Sequence, residues 1–413
     1  MAKLNLNGIS NSVFKVSASE NLENSEARAK LVGAGRVLFY DHAARGQKAL
    51  YSALNKADAT ATPRLSADQY KELNEKFQVE HMLYAADKVC QYTGQASPRS
   101  WEDFKRNSAA FYGNDQFYKV LSGIWQEVLQ PILPRVYSEA VSVFADVVEV
   151  DFGETYALSI GSNDIPVFQD TSWGAQRSVP RNRFYSKDIT LNPKPRSAWI
   201  TAKWFQLLGS GMDFGKFFAN ITAGMYAKTM GLWNQTMVAA ASNTAMIPTG
   251  LKTTFSNTNW VNLANKISSE NNTPISNLVA VGNAVALSKV LPTNVTGSTN
   301  VNMDAAIATM LGADYTRMGY LGEFMSVRLM PLIDVVVPGT QNGNVTTMLD
   351  STKVWIMAGN GYKPMTIAYN SATPLTLEMD PTKTGDFEIG INLTIAMDAA
   401  AVFASKVGLV TVP

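Results

Sequence analysis

Residues 213–241 read DFGKFFANITAGMYAKTMGLWNQTMVAAA. Phe214, Phe217, Phe218, Ile221, Met225 and Leu232 recur at helical spacing, which predicts one long amphipathic helix opened by Asp213. At ~1.5 Å per residue it is roughly 40 Å long, enough to span a domain. Gly215, Ala219, Ala223, Ala227 and Gly231 recur every fourth residue on an adjoining face. Small side chains there let a second helix or a sheet approach closely. Pro248 and Gly250 close the region.

Upstream of the helix the chain has strand character, with short runs at 155–160, 184–191 and 197–204. A long polar hairpin containing Pro166, Trp173, Gly174 and Pro180 lies between the first two. Within 171–203 stand Arg177, Arg181, Arg183, Lys187, Lys194, Arg196 and Lys203 against the single acid Asp188, a local net charge of +6. The whole chain carries only +1, so the remainder is acidic. Downstream, helix and strand alternate: helices at 260–270, 284–290 and 304–311, a strand at 277–282, mostly strand over 318–336, and strands at 353–358 and 363–369. The clearest strand is 387–397, where Phe387, Ile389, Ile391, Leu393, Ile395 and Met397 alternate with polar or small residues. The fold class is α+β.

The first third is different. Its opening ~60 residues are polar, with short helical pieces such as 21–33, and read as an extended arm. From Ser66 a capping box, Ser66-Ala67-Asp68-Gln69, opens a helix carrying Tyr70, Leu73 and Phe77. Gly94 and Pro98 end it, and Ser100-Trp101-Glu102-Asp103 opens the next. A third stretch holds Trp125, Val128 and Leu129 and stops at Pro131 and Pro134.

With 413 residues, 46% hydrophobic and 17% charged, the chain has ample core and fewer charges than the typical ~25%. Two or three domains would be ordinary for this length, and disorder, collagen and coiled coil are excluded. A near-neutral chain is no dedicated duplex-DNA binder. Few charges on a long chain point instead to surface covered by other copies. The one cysteine, Cys90, excludes internal disulfides and cysteine zinc sites. No apolar signal region opens the sequence and no run of 18 apolar residues occurs, so a soluble cytoplasmic protein without membrane contact is the expectation.

No catalytic signature survives inspection. His42 and His81 are the whole imidazole supply, neither at metal-binding spacing, and both read as structural. Gly209-Ser210-Gly211 lacks the remaining residues of a phosphate loop and reads as a turn. Asp146, Glu149, Asp151 and Glu154 lack the order of a calcium loop and read as a solvated or ion-pairing surface. Asn220-Ile221-Thr222 falls in a helix and carries no meaning as a glycosylation site. Aromatics beside bases in the hairpin (Trp173, Arg181, Arg183, Phe184, Tyr185) suit either stacking on single-stranded nucleic acid or, better, a protein-binding arm. No catalytic residue, cofactor or metal site is expected.

The order of parts is informative: polar arm, basic hairpin, one long helix, α/β region, return strand. It resembles the major capsid protein of tailed bacteriophages, the Hong Kong 97-like fold shared with encapsulin shells. Local likeness lies in Trp233–Ala241, similar to the end of the family's spine helix, in Met318–Phe324 continuing through Leu332, similar to the strand pair leaving the A domain, and in Lys353–Ala358, similar to a P-domain strand. The resemblance covers about 145–413. It implies an N-arm at 1–65, a helical extension or P-domain insertion at 66–145 that departs from the family, an E-loop with flanking strands at 146–204, a spine helix at 205–250, an A domain at 251–345 and P-domain strands at 346–413. It implies a non-enzymatic virion shell protein, assembled in the host bacterial cytoplasm as pentamers and hexamers around double-stranded DNA. Scaffolding, portal and decoration proteins are its implied partners. An encapsulin-type compartment shell and an unrecognised cytoplasmic binding protein or enzyme are the alternatives. Because the family's E-loop lies across the adjacent subunit, Arg177, Arg181, Arg183 and Lys187 are expected to meet Glu149 and Asp151, or Glu378 and Asp380, of a neighbour.

Overall fold

The computed structural model describes residues 22–46, 65–132, 141, 144–151, 154–161, 186–209, 211–244, 246–291, 319–332, 334–337, 340, 343–359, 363–370, 376–380, 388–401 and 406–413. In chain order the elements begin with α1 (Leu22–Gly46), α2 (Ala67–Thr93), α3 (Trp101–Arg106), α4 (Ser108–Tyr112) and α5 (Asp115–Leu129). Then come β1 (Ala145–Val150), β2 (Tyr156–Gly161), β3 (Ser186–Leu191), β4 (Lys194–Lys203), α6 (Trp204–Leu208) and α7 (Phe214–Ser242). β5 (Lys252–Thr254), α8 (Asn257–Glu270), β6 (Leu278–Asn283), α9 (Ala284–Ser288), β7 (Glu323–Phe324) and β8 (Val327–Leu332) follow. The last are β9 (Lys353–Ala358), β10 (Met365–Asn370), β11 (Thr376–Asp380), β12 (Glu388–Ala401) and β13 (Gly408–Thr411). The chain forms two compact units. One comprises Met1–Ala140, Pro193–Tyr226 and Tyr369–Met397, the other Val141–Asn192, Ala227–Ala368 and Asp398–Pro413.

In the first unit α1, α2 and α5 pack on one another. The capping box forms as the sequence predicts: Ser66 Oγ accepts the Gln69 amide at 3.2 Å, and Gln69 Oε1 accepts the Ser66 amide at 2.9 Å. Gly94 ends α2 in the left-handed region at φ 69°. Asn114 Oδ1 accepts the Gln116 and Phe117 amides and opens α5. The arm expectation needs correcting at 22–46. These residues form one 25-residue helix whose Leu31, Val32, Leu38 and Phe39 are buried. Phe77, His81, Trp125, Phe214 and Phe218 form an aromatic core, with Phe77 and Phe214 at 5.1 Å and Trp125 and Phe214 at 5.7 Å between ring centroids, both edge-on. Trp204, expected as the last residue of a strand, instead opens α6 and lies buried against Tyr112, Phe117 and Tyr118.

The same unit holds the antiparallel strands β11–β12–β4. β4 runs beside β12 for ten paired positions, from Lys203↔Glu388 to Lys194↔Met397. The period-two expectation is met, since Ile391, Leu393, Ile395 and Met397 are buried and their neighbours are not.

The 29-residue helix α7 begins in the first unit and ends in the second. In the second unit the six-stranded sheet runs β5-β13-β9-β6-β8-β7, with β6 parallel to β8 and antiparallel to β9. α8 lies against β5, β9 and β13, while α9 lies against β6 and β8. β6 is buried throughout, as its unbroken apolar run requires. Strands β2 and β3 pair antiparallel from Tyr156↔Leu191 to Gly161↔Ser186. The expected helix at 304–311 lies outside the described residues.

Among the described residues only β7 and β8 represent the strand expected over 318–336, and a tight turn separates them. Phe324 pairs with Val327, leaving Met325 (φ 48°) and Ser326 (φ 65°) as a two-residue hairpin loop with both residues left-handed. That loop ordinarily takes Asn-Gly. Replacing Met325 with Asn and Ser326 with Gly should stabilise the protein by about 1 kcal/mol. The urea midpoint should rise at unchanged slope; an unmoved midpoint would mean the turn carries no strain.

Candidate functional site

The sharpest chemical feature of the sequence is the separation of bases from acids. Of the bases, Lys187 lies on β3 opposite Ile160, while Arg177, Arg181 and Arg183 lie outside the described residues. Lys194, Arg196 and Lys203 stand along β4, the first and last exposed. Of the acids, Glu149 is exposed on β1 and Asp151 is exposed just beyond it. Asp146, at the start of β1, is held by Lys363 at 3.1 Å. Glu378 and Asp380 lie on β11, in register with Asn392 and Gly390 of β12. Among the described residues, Lys187, Glu149, Glu378 and Asp380 lie on strands.

The sequence did not reveal that β4 and the helix after it keep large apolar side chains partly exposed. Trp199 is 45% exposed, and Phe205 on the short helix that follows is 64% exposed. Ser197 Oγ and Thr394 Oγ1 share a hydrogen bond of 2.9 Å across the β4–β12 pair. The signal was the uncharged run Ser197-Ala198-Trp199-Ile200-Thr201-Ala202, which strand alternation alone reads as half-buried.

The residues with catalytic chemistry are used structurally. His81 is fully buried, stacks on Phe77 at 4.8 Å, and donates from Nδ1 to the Phe77 carbonyl at 2.5 Å. Burial pushes its pKa down to about 4 against the opposing pull of that bond, so the ring is neutral near pH 7. Burial also raises the Cys90 thiol, with Asp87 adding to the effect, which suppresses the reactive thiolate. His42 belongs to the cap of α7. Asp213 Oδ1 accepts the Lys216 amide at 3.0 Å and the Tyr70 hydroxyl at 2.5 Å, and Asn74 Oδ1 accepts the Phe214 amide at 3.0 Å. His42 Nδ1 stands 3.7 Å from Asp213 Oδ2 and 3.5 Å from the Tyr70 oxygen. Burial, then the bond to Asp213, holds the Tyr70 hydroxyl well above the ordinary phenol range. Among the described residues no three His, Cys, Asp or Glu side chains converge as a metal site, and no helix is long and apolar enough to cross a membrane.

No protein-family model matches the chain, and no curated protein matches it. Solved structures do resemble it. The mature capsid of bacteriophage PhiM1 is 10% identical, with 65% of this chain and 85% of that one covered at a TM-score of 0.42. The capsid of Ralstonia phage GP4 is 13% identical over 67% and 90% at 0.40. A virus-like particle from Pyrococcus furiosus is 12% identical over 69% and 98% at 0.38.

Proposed function

We propose that this chain is the major capsid protein of a tailed bacteriophage, self-assembling into a closed icosahedral shell around double-stranded DNA. The carrying observation is the ten-position pairing of β12 with β4. The late strand β12 returns to the strand that leaves the basic hairpin, and α7 and five of the six strands of the other sheet lie between them in sequence. That chain order is the one on which the sequence resemblance to the capsid fold rests. Under this reading 146–204 is the E-loop with its flanking strands, α7 the spine helix, 251–345 the A domain and 346–413 P-domain strands. The helical 66–145 is an addition to the family's plan. Arg177, Arg181, Arg183 and Lys187 reach a neighbour's Glu149 and Asp151 or Glu378 and Asp380. The protein performs no catalysis, needs no cofactor, touches packaged DNA without sequence preference and resides in the virion after assembly in the bacterial cytoplasm. Scaffolding, portal and decoration proteins are its further partners.

Expression of the chain, alone and with its neighbouring phage genes, followed by sedimentation and negative-stain microscopy, tests this. Closed shells of uniform diameter are expected. A stable monomer or dimer at high concentration in both settings would overturn the reading. Small shells that load a cellular enzyme rather than DNA would favour the encapsulin alternative.

A further inference from the structure

Three elements of the first unit meet where α7 begins: the C-terminal end of α1, the first turn of α2, and Asp213, which caps α7. His42 of α1 stands at the junction, and two acceptors face its Nδ1. Asp213 Oδ2 lies 3.7 Å away and the Tyr70 oxygen 3.5 Å. The Tyr70 proton is already given to Asp213 Oδ1, so its oxygen turns a lone pair towards the imidazole. Among the described residues the other charges at this junction are balanced or turned away. Asp41 holds Arg45 at 2.8 Å, and Arg45 also donates to the Leu65 carbonyl and lies over the Tyr70 ring. Lys216 gives Asp213 its backbone amide and is exposed. The positive end of α7 and the negative end of α1 both lie here and act on an imidazolium in opposite senses. Asp213 is therefore the unbalanced charge. Both side chains of the pair reach solvent, His42 at 24% exposure and Asp213 at 40%, so protons exchange freely with the site.

We infer that His42 is a pH-sensitive latch: its imidazolium ties α1 to the cap of α7, and loss of the proton releases the tie. A carboxylate within ~4–6 Å favours the charged ring. The folded chain therefore keeps the His42 proton to higher pH than the unfolded chain, in which the ordinary value is about 6.5. Stability from the contact is fully present below about pH 6.5 and is lost as pH rises through the folded value. The other histidine, His81, acts in the opposite sense and in a lower window. Its pKa is pushed down to about 4, so it makes stability rise with pH between about 4 and 6.5. Burial holds Cys90 and Tyr70 above their ordinary ranges, so they act mainly above about pH 8. Since the sequence has only these two histidines, the interval from about pH 6.5 to 8 belongs to His42. The latch is a property of the single chain and does not rest on the shell reading.

Urea unfolding of the full, unassembled chain at about pH 6.5 and about pH 8 tests this. For an upward shift of about one unit, the folding constant should fall about fourfold across that interval. His42→Gln keeps a donor but carries no charge, so it should remove the fall while leaving the rise below about pH 6.5 that His81 causes. Asp213→Asn retains a good helix cap and should remove the fall as well. The second measurement is histidine NMR of the wild-type chain, in which two imidazole signals are expected. The His42 ring should titrate about one unit above its ordinary value, and Asp213→Asn should bring it back. An equal fall in His42→Gln and wild type would overturn the inference. So would a His42 ring that titrates at or below about 6.5 in the folded chain, a result that decides the matter should His42→Gln fail to fold.

Discussion

Changing Arg177, Arg181 and Arg183 together to Glu should abolish closed shells while the chain stays folded by circular dichroism. The three substitutions take the 171–203 segment from a net charge of +6 to 0. If these guanidiniums meet the carboxylates of Glu149 and Asp151, or of Glu378 and Asp380, of a neighbour, reversal places acid on acid at every copy of the contact. Arg suits the task because its planar fork holds a carboxylate through two hydrogen bonds, which Lys cannot do. One exposed pair contributes only ~0–1 kcal/mol, yet it recurs at each subunit boundary, and like-charge contact penalises the correct lattice directly. Sedimentation of the triple variant reads the outcome. Shells in normal yield would refute the trans pairing. Normal but empty shells, with packaging lost, would assign the arginines to DNA.

The legible parts of this fold were those in which one physical signal dominated. In β12 the core face and the solvent face alternate residue by residue, so period two was unambiguous. In α7 the apolar stripe persists for 29 residues, and at Ser66 the capping residues announce themselves by spacing alone. Helix α1 was hidden because its buried residues, Leu31, Val32, Ala34, Leu38, Phe39 and Ala43, are interrupted by Gly33, Gly35 and Arg36, so its pattern is weak and its stability comes from α2 and α5. The hairpin at Met325-Ser326 was illegible for a different reason: tertiary pairing of β7 and β8 overrides the local preference of two residues that disfavour left-handed backbone. Of the candidate site, the charge segregation was readable from composition. The exposure of β4 was not, because exposure depends on which strand lies alongside and sequence does not state that.

The small-residue face of α7 is where a minimal substitution should do most damage to the fold. Gly215 is packed so closely that an added Cβ would lie 2.6 Å from the Leu38 carbonyl oxygen and 3.0 Å from His42 Cβ, and closer still to the Tyr70 hydroxyl. The first is backbone of α1 and cannot swing aside; the last is committed to Asp213, whose other contacts cap α7. Gly215→Ala gains about 1 kcal/mol of helix propensity. Against that, overpacking costs ~1–3 kcal/mol, and detaching the part-buried Tyr70–Asp213 bond a further ~1 kcal/mol. The net expectation is a loss of about 1–3 kcal/mol, with Gly215→Leu not yielding soluble protein. Gly224 provides the control on the same helix. It is exposed, and a Cβ there meets nothing within 4 Å, so Gly224→Ala should stabilise by up to ~1 kcal/mol. Chemical denaturation of both variants, with near-ultraviolet circular dichroism reporting the aromatic core around Phe214, separates the two cases. Equal stability of Gly215→Ala and wild type would show that α1 and α2 do not sit against α7 at this distance.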